Sequence, residues 1–257
     1  MAELFPIKTY TVNGLNGIID ICTELRRQQY WSFRGQRRKQ WKIQPHHDIT
    51  QEDLTNSFKS FNDRIKEFPK SDYLDEENLW RWLFYAQHYG LKTPLLDWTS
   101  NPLVAAYFAV ENIVSHANEE EDLGCVWAIT VSKKKFKWAD EIHRQPFKRK
   151  PNDKTPIVDE WLMIKPPPIT PRIVRQSGIF TYHPNKESTI NFEANNEERQ
   201  LVKINIEKKN GINPSKFIRQ QLGIMNLHHA HLFPDPGGVA KFVNYELPDL
   251  KPGKIGL

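Results

Sequence analysis

Long apolar runs are missing from this chain. No stretch approaches the roughly 18 apolar residues that a membrane-crossing helix needs, so no membrane partner is expected. Cysteine is equally scarce. Only Cys22 and Cys125 occur in 257 residues, without metal-ligand spacing. That excludes a disulfide framework and a cysteine-based zinc site, and it leads to a reduced, cytoplasmic setting with both cysteines as small core residues. The opening Met1-Ala2-Glu3-Leu4-Phe5 has no basic start and no long apolar run, unlike a secretory leader. The phosphate-cradling GxGxxG and P-loop patterns are absent, and so is the GxSxG nucleophile elbow. Neither cysteine has a neighbouring histidine that would make it a thiol nucleophile. His228-His229-Ala230-His231 and His46-His47-Asp48 are histidine-rich, but no frame of cysteines or carboxylates completes either one. No metal is expected.

Aromatic side chains are abundant by contrast. Eight Trp and fourteen Phe can build a real core in a chain of this length, organised as one large domain or two small ones. Charge is distributed unevenly. Between Lys133 and Lys150 eight Lys/Arg face only Asp140 and Glu141, a local net of +6 in a chain whose total is +5. Such a segment is either a solvated loop or the footprint of an anionic partner. Lys133, Lys134, Lys135, Lys137, Lys148, Arg149 and Lys150 are the candidate target-binding residues. Phe136, Trp138 and Phe147 interleave with them and would either stack on bases or anchor the loop.

Periodicity places the elements. Ile18, Ile19, Cys22 and Leu25 have helical spacing, and Tyr30–Arg34 alternates as a strand. Thr50 with Asp53 forms a capping box ahead of Leu54, Phe58, Phe61 and Ile65, an amphipathic helix. Leu79, Trp82, Leu83 and Ala86 mark another helix, ending at Gly90. Thr93–Trp98 reads as a short strand. Asn101-Pro102 caps a helix whose residues Leu103 to Val110 are apolar all round, hence buried. Glu119–Asp122 reads as a helix-to-strand loop. Strands are expected at Cys125–Val131, Ile179–Thr181 and Leu201–Ile206, and a last helix from Asn213-Pro214 to near Gly223. No internal repeat is present. Segregated helices and short strands point to an α+β fold.

Two segments set polar residues in an apolar frame, where they must satisfy one another or await a ligand. One is Phe33-Arg34-Gly35-Gln36. The other is Gln87-His88-Tyr89-Gly90-Leu91-Lys92-Thr93-Pro94-Leu95-Leu96-Asp97-Trp98-Thr99. An Arg beside a glycine suits a phosphate or carboxylate. Each residue also has a structural alternative: Arg34 pairing with Asp97, Asp97 capping a turn, His88 as a satisfied histidine, Thr99 opening a helix.

These segments resemble the FRG domain family, named for the Phe-Arg-Gly triplet. The resemblance continues through QHYGLKTPLLDWTSNPLVAAYFA (87–109), resumes at Arg175-Gln176-Ser177-Gly178-Ile179-Phe180, and closes at Leu222-Gly223 and Leu232–Asp235. It spans about residues 29–245 of a single 1–257 domain, with 133–150 as a basic insertion or loop. Pro94 departs from it where the family usually has Arg, and Pro45-His46-His47 departs from a usual Pro-Ser-Leu. The order of motifs is similar to the ADP-ribosyltransferase fold, a core of short mixed or antiparallel strands with helices around it.

That resemblance implies NAD as substrate and a macromolecular acceptor, RNA, DNA or protein. It also implies the setting of a bacterial toxin or antiphage effector, with a neutralising or regulatory protein as a further partner. Arg34 would grip the phosphates with Gly35 allowing close approach, while Gln36, Gln87 and Thr99 complete the dinucleotide site. Thr99-Ser100 would occupy a Ser-Thr-Ser position. Gln176 falls near the usual catalytic Glu but carries no charge, which leaves Asp97 as the candidate acid and His88 as a phosphate donor or base. Glu187 and Glu193 are weaker acids. Two alternatives stay open: an NAD glycohydrolase on the same fold, and a non-enzymatic module for a nucleotide or polyanion.

Overall fold

The computed structural model describes residues 5–45, 49–65, 78–111, 123–150, 152–185, 192 and 194–250. Among them lie eight strands and eight α-helices. The strands are β1 (Lys8–Val12), β2 (Ser32–Gln36), β3 (Leu95–Thr99), β4 (Cys125–Val131), β5 (Phe136–Trp138), β6 (Leu162–Lys165), β7 (Gly178–Tyr182) and β8 (Arg199–Ile206). The helices are α1 (Leu15–Gln28), α2 (Gln51–Ile65), α3 (Leu79–His88), α4 (Pro102–Val110), α5 (Pro171–Arg175), α6 (Ser215–Ile224), α7 (His229–Leu232) and α8 (Pro236–Lys241). All eight strands form one mixed sheet of order β1-β8-β4-β2-β3-β7-β6-β5. The pairs at its two edges, β1 with β8 and β5 with β6, are parallel, and the others are antiparallel.

The sheet is two halves joined at one point. Strands β2 and β3 share a single residue pair, Phe33 with Thr99. Beyond it β2 follows β4 as far as Gln36, opposite Cys125, and β3 follows β7 back to Leu95, opposite Tyr182. A V-shaped notch therefore opens in the middle of the sheet.

Side-chain alternation assigns the two faces. Phe33, Val126, Ala128, Val202 and Ile204 pack under α1, α4 and α6 in one buried cluster. Leu95, Phe180, Tyr182, Leu162 and Ile164 pack under α2 and α3 in a second. Both clusters lie on the same face, because Thr99 pairs with Phe33 and so faces the same way. The opposite face carries Leu96, Trp98, Trp127, Ile129, Met163 and Ile179, covered by Ile43, Trp161 and Phe192 from connecting segments. Helices on one face of a largely antiparallel sheet make this an α+β fold.

The local grammar explains the helix starts. Thr50 and Asp53 close the expected capping box, with Thr50 N donating to Asp53 Oδ2 (2.8 Å) and Asp53 N donating to Thr50 Oγ1 (3.1 Å). Asn101 accepts from Leu103 N at 2.9 Å with Pro102 at the first helical position. Helix α3 ends before Gly90, whose φ of +87° costs a residue without Cβ nothing. Strand β2 lies two residues later than its alternation suggests, because Tyr30 is exposed and the ladder with β4 starts at Ser32. Helix α6 is not the last, since the short helices α7 and α8 follow it. Their few residues carry too little periodicity to be read from sequence. The runs at 46–48 and 119–122, and Glu187 and Glu193, lie outside the described residues.

Helix α4 sits backbone-close to the sheet. A Cβ on Gly35 would lie 2.0 Å from Ala105 O and 2.5 Å from Ala109 N, and one on Gly124 would lie 2.0 Å from Ala109 O. Both glycines are therefore contact points for the helix. Replacing Gly35 with Ala is expected to lower stability by about 1–3 kcal/mol, the usual cost of overpacking, or more since backbone must move. Gly14→Ala, where nothing lies within 4 Å, serves as the control and should cost only the helix-cap preference, about 1 kcal/mol or less. Urea midpoints of the two variants check this.

Candidate functional site

The notch in the sheet is the candidate site. The alternation that puts Phe33 under α4 turns Arg34 and Gln36 to the opposite face, beside Trp127 and Cys125. On β3 the same rule sends Asp97 toward the helices and Trp98 away. Arg34 spans the gap: its Nη1 donates to the Asp97 carbonyl at 2.7 Å. A carbonyl that a continuous ladder would have satisfied from the backbone thus takes a guanidinium instead. No Arg34–Asp97 ion pair forms within 4 Å, so the simple buried pair is not what holds Arg34. Burial pushes the Arg34 pKa down, and the nearby Asp97 charge opposes that shift. Its Nε is buried without a hydrogen-bond partner.

Several predicted residues bond to one another. Gln87 donates to Asp97 Oδ1 at 2.9 Å and accepts from the Thr93 hydroxyl, which in turn accepts from Leu95 N at 3.2 Å. Thr99 donates to the Gln176 carbonyl at 2.6 Å and accepts from Asn101 N at 3.0 Å. Gln176 spends its amide on Leu232 O (3.0 Å), which ties α5 to α7. Gln36 accepts from Trp127 Nε1 (2.8 Å) and donates to Lys42 O (3.1 Å), pinning the segment after β2. Gly35 owes its identity to α4, as described above, although it also borders the cleft.

Around the notch lie two confluent hollows of about 250 and 560 Å³. Arg34, Gln36, Trp41 and Asp97 border both. Arg37, Thr99, Glu111, Arg172 and Gln176 line the smaller one, and Lys42 and Gln87 the larger. Five of these residues did not stand out in the sequence: Trp41, Arg37, Lys42, Glu111 and Arg172. Glu111 directly follows α4, and that position was its only sequence cue. Its Oε1 lies 3.3 Å from His229 Nδ1, and His229 also meets Tyr107 Oη at 3.1 Å. Arg172 is drawn between carboxylates. Burial lowers its pKa, and the charges of Asp97, Asp235 and Glu111 counter that.

His88 faces away from both hollows. Its Nδ1 lies 3.4 Å from Thr170 Oγ1, and its carbonyl accepts from Arg172 Nη1 at 3.2 Å. Burial, reinforced by Arg172, lowers its pKa to about 4.

The basic segment lies elsewhere. Strand β5 is the far edge of the β3 half, three strands removed from β3. Lys135 is buried, bonded to Glu160 at 2.7 Å and 3.5 Å from Glu198. Phe147 is fully buried among the aromatics of α2 and α3, so it anchors the segment. Lys133, Lys134, Lys137, Lys148, Arg149 and Lys150 remain on that remote rim, half-buried or exposed. The histidines of 228–231 engage different partners: His228 meets Asn226 at 2.8 Å and His231 meets Arg175 at 3.1 Å. Among the described residues no group of three or more His, Cys, Asp or Glu could hold a metal, and no helix is long and apolar enough to cross a membrane.

A helix-backed α+β sheet with a charged notch at its centre is the class that fold and site define. Within it, residues 29–118 match the FRG domain model, so the chain carries an FRG domain over that span. The span runs from just before β2 past the end of α4 and holds Arg34, Trp41, Gln87, Asp97 and Glu111. It is narrower than the 29–245 that the motifs suggest. Comparison with curated proteins and with solved structures gave no match.

The depressed pKa of His88 has a pH signature. An unfolded histidine titrates near 6.5, the folded one at about 4. The unfolded state therefore binds the extra proton first as pH falls. Stability from this group is complete above pH 6.5 and is lost as pH drops toward 4. His88→Gln is expected to flatten that part of the stability curve, as chemical denaturation at stepped pH would show. An NMR titration should find the His88 ring neutral at pH 6.

Proposed function

We propose that the notch binds a dinucleotide of the NAD type and that the chain transfers ADP-ribose from it to a macromolecule. The single observation carrying this reading is the divided sheet. It gathers a partly buried guanidinium with an unpaired Nε, an aromatic ring and two carboxylates around one cleft. The motif order resembling the ADP-ribosyltransferase core supports the same reading, with Arg34 at the strand position that the resemblance gives to the phosphate-gripping arginine.

The chemistry asks for what these residues can supply. Arg34 and Arg172 offer forked donors to a pyrophosphate. Phe108, half-buried at the smaller hollow, offers a face to a base or to nicotinamide. Breaking the nicotinamide–ribose bond sends its electron pair to the departing nicotinamide nitrogen and leaves an oxocarbenium-like ribose. A carboxylate near that centre favours the charged transition state over the ground state. Asp97, oriented by Gln87, is the first candidate, and Glu111 the second. The acceptor nucleophile then bonds to the ribose carbon and loses its proton to a base. Water in that role would make the protein a glycohydrolase. Draining NAD in either way would suit a toxin or antiphage effector.

A second reading rests on Gln176. Its side-chain amide donates to Leu232 O and its main-chain carbonyl accepts from Thr99, which supports a structural role at the place of the usual acid. This favours a module that binds a nucleotide without cleaving it.

Nicotinamide release from NAD separates the two. Under the enzymatic reading the native protein releases it. Asp97→Asn or Glu111→Gln is expected to cut the rate about 100-fold or more, as removal of one charge-stabilising group does. Arg34→Lys, which keeps the charge but not the fork, should weaken NAD binding roughly 10- to 100-fold. Binding with no release, even with cell extract supplying acceptors, would select the second reading. Absence of NAD binding by calorimetry would overturn both.

A further inference from the structure

The segment that leaves β2 is Arg37-Arg38-Lys39-Gln40-Trp41-Lys42, four cations and a tryptophan in six residues. It forms the wall of the notch on the face away from the helices. It is also firmly held. Lys39 N donates to Leu123 O at 3.0 Å, Lys203 Nζ to Lys39 O at 2.6 Å, and Gln36 to Lys42 O at 3.1 Å, while Ile43 is buried behind it. Even so, Trp41 is 42% exposed. An exposed ring among cations is the pairing with which proteins hold single strands.

The charges around the ring are arranged for an anion. The Arg37 and Arg38 guanidinium carbons lie 5.9 and 5.7 Å from the Trp41 ring centre. Lys39 is matched by Glu207 at 2.6 Å and adds no net charge. The Arg37 fork beside the ring suits a phosphate. It suits the carboxylates of an acidic peptide as well, but they have no use for an exposed indole. A base has a π-face for it.

We infer that this rim is a docking surface for single-stranded nucleic acid, with Trp41 stacking on a base and Arg37 and Lys42 holding the flanking phosphates. The strand would lie across the mouth of the notch, because Trp41 borders both hollows. The rim thus takes the place of the remote Lys133–Lys150 segment as the nucleic-acid contact. Binding stands on the rim alone. Only the strand's role as acceptor rests on the ADP-ribosyl transfer proposed above.

The test is fluorescence anisotropy of a labelled oligothymidylate and a labelled oligouridylate, each about 15 nucleotides, within known single-strand site sizes. Comparing the two arms tells DNA from RNA. Binding with quenching of tryptophan emission is expected for the native chain. Trp41→Ala should weaken it roughly ten-fold or more, and Trp41→Phe should restore most of that loss. Arg37→Ala should lower the slope of log affinity against log salt by about 1. A triple Lys133→Ala, Lys134→Ala, Lys137→Ala variant should bind like the native chain. Unchanged thermal melting of the rim variants keeps folding out of the comparison. The inference is overturned if neither oligonucleotide binds, if Trp41→Ala binds as the native chain does, or if the lysine triple variant carries the loss. Tighter binding of polyglutamate than of either oligonucleotide would also overturn it. Oligonucleotide binding without nicotinamide release would leave the rim standing and remove the transferase reading.

Discussion

Everything in this molecule hangs on the backbone-to-backbone seat of α4 on β2 and β4. Gly35 and Gly124 leave room for it, and the small residues Ala105, Ala106 and Ala109 are buried at the contact. A helix drawn that close fixes β2 to β4 and sets the path of the chain into it through Thr99, Ser100 and Asn101. Strand β3, which delivers that path, belongs to β7. The two strands can touch only at Phe33 and Thr99, and the notch is the space left by that single contact.

The notch then creates a demand that side chains meet. A broken ladder leaves backbone carbonyls near the interior, and an orphaned one costs about as much as a lost hydrogen bond. Arg34 answers for Asp97 O, and Gln36 answers for Lys42 O on the segment leaving β2. The same guanidinium that repairs the sheet keeps a buried Nε without a hydrogen-bond partner. In the proposed reading, structural repair and ligand recognition are joined in one residue. This explains why the polar residues of 87–99 and 175–178 are so extensively bonded to one another. They are the frame that holds Arg34 and Asp97 in place.

The helices with clear periodicity, α1, α2 and α3, and the all-apolar α4 were legible because each has one dominant pattern and a recognisable cap. Strand β4 was legible because it is a continuous apolar run. Strands β5 and β6 and helices α5, α7 and α8 were not. They are three to six residues long, and their conformation is imposed by neighbours that no local pattern reveals. For the site, Arg34 and Asp97 stood out as polar residues in apolar frames. Glu111 and Arg172 did not, because each is an ordinary surface type in its own segment and gains meaning only from what lies across the notch.

The residue types alone determined an α+β chain with a tryptophan-rich core, two buried cysteines and a polar centre carried by two motifs. Hydrophobic period, caps and composition act locally, so they can be read in one dimension. Only the tertiary structure decided that Gly35 serves α4, that Gln176 and Gln36 are spent on backbone carbonyls, and that Lys135 and Phe147 anchor the basic segment away from the cleft. It also decided that Trp41 and its arginines stand at the mouth. Those assignments depend on which strands pair and where a pairing stops. That is a property of contacts distant in sequence, and no single segment records it.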